Sequence, residues 1–80
     1  MNREELIKKV NEVLAEEFEK EVSDITPDAD IYSTLELDSL SLVDMVALID
    51  SEFGVKIPSS EVRGIKTFNA LYDYLEQHAQ

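Results

Sequence analysis

Between Asp38 and Gly54 the chain carries no glycine or proline, and its apolar residues recur at helical spacing. Asp38 can accept a first-turn N–H with its carboxylate, so it is a good helix N-cap. Gly54 can adopt the left-handed conformation that closes a helix. The stretch therefore reads as one amphipathic helix, from about Ser39 to Phe53. A helix with a broad apolar face gains its stability by packing, so other elements must cover it. Only two glycines and two prolines occur in 80 residues, and the covering elements are expected to be helices too.

The flanking segments bear this pattern. Asn2, followed by Glu5, reads as an N-cap with its capping-box partner. Leu6, Ile7, Val10, Val13, Leu14 and Phe18 then make a core stripe, on a helix from Arg3 to Phe18 or Glu19. From Glu21 to Leu37 periodicity fails, and Ser23, Asp24, Thr26, Pro27, Asp28 and Asp30 are turn and cap formers. Ile25, Ile31, Leu35 and Leu37 are expected to pin this long loop to the helices. A loop of that length in so small a domain is often functional. After Gly54, Val55-Lys56-Ile57-Pro58 reads as extended, with Ile57 buried. Ser59 or Ser60 should cap a helix of a turn or two, through Glu61, Val62 and Arg63, which Gly64 ends. Thr67 caps the last helix, whose apolar side is Phe68, Leu71, Tyr72 and Leu75 with Tyr74, and Asn69, Asp73, Glu76 and Gln77 face out. His78 is expected in a frayed tail. The predicted architecture is all-α: a four-helix bundle of three longer helices and one short third helix. A long loop joins the first two helices, and residues 1–80 form a single domain.

Composition narrows the function. A formal net charge of -11 repels nucleic acid and anionic membranes and attracts proteins with basic patches. The chain has no cysteine, so any thioester chemistry would need its sulfur from a prosthetic group. The N-terminus is charged from Arg3 onward and no apolar run is long enough to span a membrane. A cytoplasmic monomer is expected. Catalysis needs a nucleophile, a base and an orienting group, or a metal set. The one histidine lies at position 78, and no glycine-rich phosphate loop is present, so no enzyme activity and no catalytic residue is expected. Asp28-Ala29-Asp30 invites a calcium reading, but counting from Asp28 puts Ser33 where an EF-hand loop needs glycine and Ser39 where it needs glutamate. No metal site is expected.

The second helix divides into faces at about 100° per residue. Leu42, Val43, Met45, Val46, Ile49 and Phe53 fall on one broad arc, read as core. Leu40, Asp44, Ala47 and Ser51 form another stripe, and Leu48 also lies off the core arc. Leucine beside acid, away from the core, suits a docking face: apolar contact supplies affinity, while Asp38, Asp44 and Glu52 steer basic partners. Ser39 stands in the first turn, where free N–H groups and the positive end of the helix dipole favour an attached phosphate.

Leu35-Glu36-Leu37-Asp38-Ser39-Leu40, then Val43-Asp44, Glu52-Phe53, Ile57-Pro58 and Ile65-Lys66-Thr67, closely resembles the acyl carrier protein family over nearly the whole chain. In that family the serine of Asp-Ser-Leu bears a 4′-phosphopantetheine arm derived from coenzyme A, so the resemblance puts the arm on Ser39. It makes the second helix the partner-recognition helix, with Asp38, Leu40, Asp44, Ala47 and Glu52 on its docking surface. It makes the short third helix mobile, and it assigns Leu42, Val46, Ile49, Ile57, Val62 and Ile65 to a cleft for the acyl chain. The implied partners are a phosphopantetheinyl transferase and acyl-transfer and chain-elongation enzymes of fatty-acid, polyketide or related biosynthesis. Two other readings stand beside it: a peptidyl or D-alanyl carrier, and a small acidic helical adaptor without a prosthetic group.

Four positions depart from the family's common pattern. Glu36 stands where fatty-acid carriers have glycine. Ser41 replaces an acid, Leu42 a small polar residue and Ala47 a bulky apolar one. Together they leave the partner set open between that of a common fatty-acid carrier and that of a specialised one serving a secondary or lipid-modifying pathway.

Overall fold

Each long helix begins where its capping side chain stands. The computed structural model describes residues 2–78. Asn2 Oδ1 accepts the Glu5 N–H at 2.8 Å and opens α1, Arg3–Glu17. Asp38 Oδ1 accepts the Ser41 N–H at 2.8 Å and opens the helix Ser39–Phe53. Thr67 Oγ1 accepts the Ala70 N–H at 3.1 Å and opens the helix Phe68–His78. Two shorter helices lie between them, so in chain order the five are α1, α2 (Ile31–Leu35), α3 (Ser39–Phe53), α4 (Ser59–Val62) and α5 (Phe68–His78). Gly54 closes α3 at φ 69, its N–H on the Asp50 carbonyl. The three longer helices and the short α4 form the expected four-helix bundle. None of the helices among the described residues is long and apolar enough to cross a membrane.

The core is continuous. Leu6, Val10 and Leu14 of α1, Met45 and Ile49 of α3, and Phe68, Leu71, Tyr72 and Leu75 of α5 are buried together. The Tyr72 hydroxyl donates to Asn11 Oδ1, so the one large polar group in that layer keeps a partner between α5 and α1. Ile25, Ile31 and Leu35 are buried and Leu37 partly so, which pins the long connection as its sequence suggests. Backbone bonds complete the attachment: Ile31 N–H to Lys66 O at 2.8 Å and Asn69 N–H to Pro27 O at 2.9 Å.

Several expectations need correction. The connection is not a plain loop, since it holds a 3-10 turn at Val22–Asp24 and the one-turn helix α2. Asp30 caps α2 by accepting the Ser33 N–H at 3.1 Å. One turn is too short for a periodic pattern to show. α1 stops at Glu17, because Phe18 is its C-cap and Glu19 turns the chain at φ 57. No serine caps α4: Pro58 holds the N-cap position and no side-chain bond is made there. Arg63, not Gly64, is its C-cap and keeps right-handed geometry. His78 is the last residue of α5 and stacks on Tyr74 with ring centres 4.2 Å apart. Val43, assigned to the core arc, is 65% exposed, whereas Leu48 is partly buried against the core. The two flank the arc on opposite sides: Leu48 lies on the side of α1, lining a groove with Val13, and Val43 on the side of α4. Val13 does not join the core cluster; it lines a groove with Leu48 and four glutamates.

Candidate functional site

Ser39 is exposed and is the first residue of α3. Its neighbour Asp38 is exposed as well, and its carboxyl is held below the usual carboxylate range, first by the bond from the Ser41 N–H. The carboxylate that caps α3 is thus charged beside the serine across the physiological range.

A cleft of about 320 Å³ opens next to Ser39, between α3 and α4. Leu42, Val43 and Val46 line it from α3, Ile57 from the extended connection and Val62 from α4. Ser39, Ser59 and Arg63 supply its polar edge, and all three are exposed. The volume lies at the small end of the range for ligand pockets, and the walls are as apolar as such pockets usually are.

Two phenols hold the α4 wall in place. Tyr32 of α2 donates its hydroxyl to the Val62 carbonyl at 2.7 Å. Tyr74 of α5 donates to Glu61 Oε2 at 2.7 Å. Burial, and then the charge of Asp30, raises the Tyr32 phenol above its ordinary value; the bond to Glu61 raises that of Tyr74. Both remain donors at neutral pH. This explains how a four-residue helix, far too short to persist alone, keeps a defined position over the cleft.

The residues assigned to the cleft divide. Leu42, Val46, Ile57 and Val62 meet there, but Ile49 is fully buried in the core, and Ile65, also buried, is not among the lining residues. Val43, Ser59 and Arg63 border the cleft without having been singled out. The position of Val43 at the edge of the apolar arc was a usable signal for it; for Arg63 the only signal was its being the one cation between Lys56 and Lys66.

The residues assigned to docking are all exposed: Asp38, Leu40, Asp44, Ala47 and Glu52. Leu40, at 77%, is the most exposed large apolar side chain among the described residues, and Val43 adjoins it. Asp38 to Ala47 thus form one face around Ser39. Glu52 lies apart from it, at the far end of α3, on the groove with Val13 and Leu48. Its backbone carbonyl accepts from Lys9 Nζ at 3.0 Å. Glu36, the first of the unusual positions, adopts φ 54 and pairs with Lys20. No group of three or more His, Asp or Glu side chains that could hold a metal ion occurs among the described residues.

A family model described as a phosphopantetheine attachment site matches residues 8–75. An acyl carrier protein of Rubrobacter xylanophilus is 36% identical over 78 residues, covering 98% of this chain and 96% of its own. The chain belongs to the acyl carrier protein family. An acyl carrier protein of Thermotoga maritima is likewise 36% identical over 76 residues, covering 95% and 94% of the two chains. The solved structure of an acyl carrier protein from Enterococcus faecalis superposes with a TM-score of 0.80 at 30% identity, over 99% of this chain and all of that one. The chain is therefore an acyl carrier with a 4′-phosphopantetheine prosthetic group, and it serves biosynthetic enzymes.

The residues present fit such a group. An exposed hydroxyl stands at a helix N-terminus, and an apolar cleft opens beside it. Among the described residues, the cleft lining contains no carboxylate that would oppose a phosphate.

Proposed function

We propose that Ser39 is the attachment residue of this acyl carrier. The observation that carries the reading is that the exposed Ser39 borders the same cleft as Leu42, Val46, Ile57 and Val62. When bound, the prosthetic group supplies a terminal thiol that holds an acyl group as a thioester. The chain's own residues do the rest. Ser39 fixes the point of attachment, and the apolar walls take the acyl chain out of water. Burying each methylene is worth about 0.8 kcal/mol, enough to favour shelter between visits to partners without preventing release.

In this reading the exposed face made by Asp38, Leu40, Val43, Asp44 and Ala47 is the docking surface. Leu40 and Val43 give apolar contact beside the attachment point, and the two aspartates orient basic partners. Those partners are a phosphopantetheinyl transferase, which loads Ser39 from coenzyme A, and acyl-transfer and chain-elongation enzymes with basic patches. The substitutions at Glu36, Ser41, Leu42 and Ala47 favour a specialised set of these enzymes over those of a common fatty-acid carrier. The chain acts as a carrier and not as a catalyst, in the cytoplasm where coenzyme A is at hand. Residues 1–80 act as a single carrier domain.

The test is to load the modified protein with a saturated acyl chain and follow its methyl resonances. Those of Leu42, Val46, Ile57 and Val62 should move most, while Ile49 and Leu71 move little. Shifts centred elsewhere would contradict the cleft assignment. Ser39→Ala separates the reading from that of an adaptor, which would keep binding partners and keep working without the hydroxyl.

A further inference from the structure

Seven cationic side chains face eighteen acidic ones in this chain, and several are engaged. Arg3 pairs with Asp73 at 2.8 Å and Glu76 at 3.5 Å. Lys20 pairs with Glu36, and Lys9 donates to the Glu52 carbonyl and lies over the Phe53 ring. Arg63, like Lys8, Lys56 and Lys66, makes neither an ion pair nor a side-chain hydrogen bond among the described residues, despite the surplus of carboxylates; of these four it alone borders the cleft. Among the described residues it is also the only cation on the cleft, where Ser39 and Ser59 are the only other polar residues.

A guanidinium is suited to such a place. It is weakly hydrated, so an apolar wall costs it less than it would an ammonium, and its fork of donors matches phosphate geometry. We propose that Arg63 binds the phosphodiester of the prosthetic group and so anchors the arm at the edge of the cleft; the proposal rests on Ser39 being the attachment residue. Attachment adds a further anion to a chain already at -11, at a helix start where Asp38 is charged. Arg63 offsets that repulsion locally. Because α4 carries it, bound phosphate and cleft wall become coupled: an arm held by Arg63 favours α4 in its place over the cargo.

The experiment is a cycle of four proteins: unmodified and modified, each with Arg63 or with Arg63→Gln. Intact mass, with Ser39→Ala as the control that gains nothing, first establishes that Ser39 carries the group in both sequences; a wild type that gains no mass overturns the attachment reading and this one with it. With modification established, the melting temperature of the wild type should stay level or rise on modification, and that of Arg63→Gln should fall by several degrees. The phosphorus resonance of the modified wild type should move with added salt toward its position in Arg63→Gln, which itself stays put, because salt screens an exposed pair. Arg63→Lys should fall between the two, as a point charge replaces a fork. Equal melting shifts and equal phosphorus positions in wild type and Arg63→Gln would overturn the proposal. So would a coupling seen only with an acyl group bearing its own carboxylate, which would assign Arg63 to the cargo and not to the arm.

Discussion

Glu36 and Glu19 show how much one residue's backbone can tell. Both hold positive φ, at 54 and 57, a conformation that costs an ordinary L-residue about 1–2 kcal/mol and glycine almost nothing. Glu19→Gly should therefore stabilise the protein by about 1 kcal/mol, measured by urea unfolding. Glu36→Gly also removes the pair with Lys20. That pair is exposed on the Glu36 side and of small value, so in 1 M salt, where it is screened, the variant should show the same gain. Equal or lower stability in both would contradict the strain account. Asp38 gives a pH test. Its folded value is depressed by the Ser41 N–H bond, so its contribution is full above the unfolded value of about 3.9 and is lost as pH falls through the folded one. The stability gap between wild type and Asp38→Ala should hold steady above about pH 5 and close below about pH 4. A gap independent of pH would show that the cap acts without its charge.

At the scale of elements, α3 has an inner and an outer apolar side. Ile49→Ala should cost about 2–5 kcal/mol, since the side chain is fully buried. Val43→Ala, at a position 65% exposed, should cost under about 0.5 kcal/mol yet weaken partner binding and acyl shelter. The helices with a capping residue and a full periodic stripe were legible in the sequence: Asn2, Asp38 and Thr67 start them and Gly54 ends one. What escaped it was short or depended on neighbours. α2 offers only Ile31 and Leu35 as a pattern. Whether Val43 or Leu48 turns inward depends on which elements flank α3, which a single helix's periodicity does not contain. Pro58 leads α4 with no capping side chain at all, and tertiary bonds from Tyr32 and Tyr74 hold it instead. Tyr32→Phe should accordingly speed hydrogen exchange in α4 while leaving α1 and α5 protected; unchanged exchange there would remove the phenol from its holding role.

For the whole molecule, charge sets both stability and association. A net charge of -11 on a domain this small repels itself, so added salt should raise the melting temperature and slow association with basic partners. The core and the bundle follow from the apolar pattern alone, whereas the cleft becomes visible only once α4 is folded over α3. The motif singles out Ser39 in the sequence; the structure adds that this serine borders the cleft. The most direct measurement is intact mass after incubation with coenzyme A and a broad-specificity phosphopantetheinyl transferase, with Ser39→Ala alongside. The wild type should gain a single phosphopantetheinyl group and the variant, equally helical by circular dichroism, none. A folded wild type that gains nothing, or a Ser39→Ala protein that still gains the group, would contradict the assignment of Ser39.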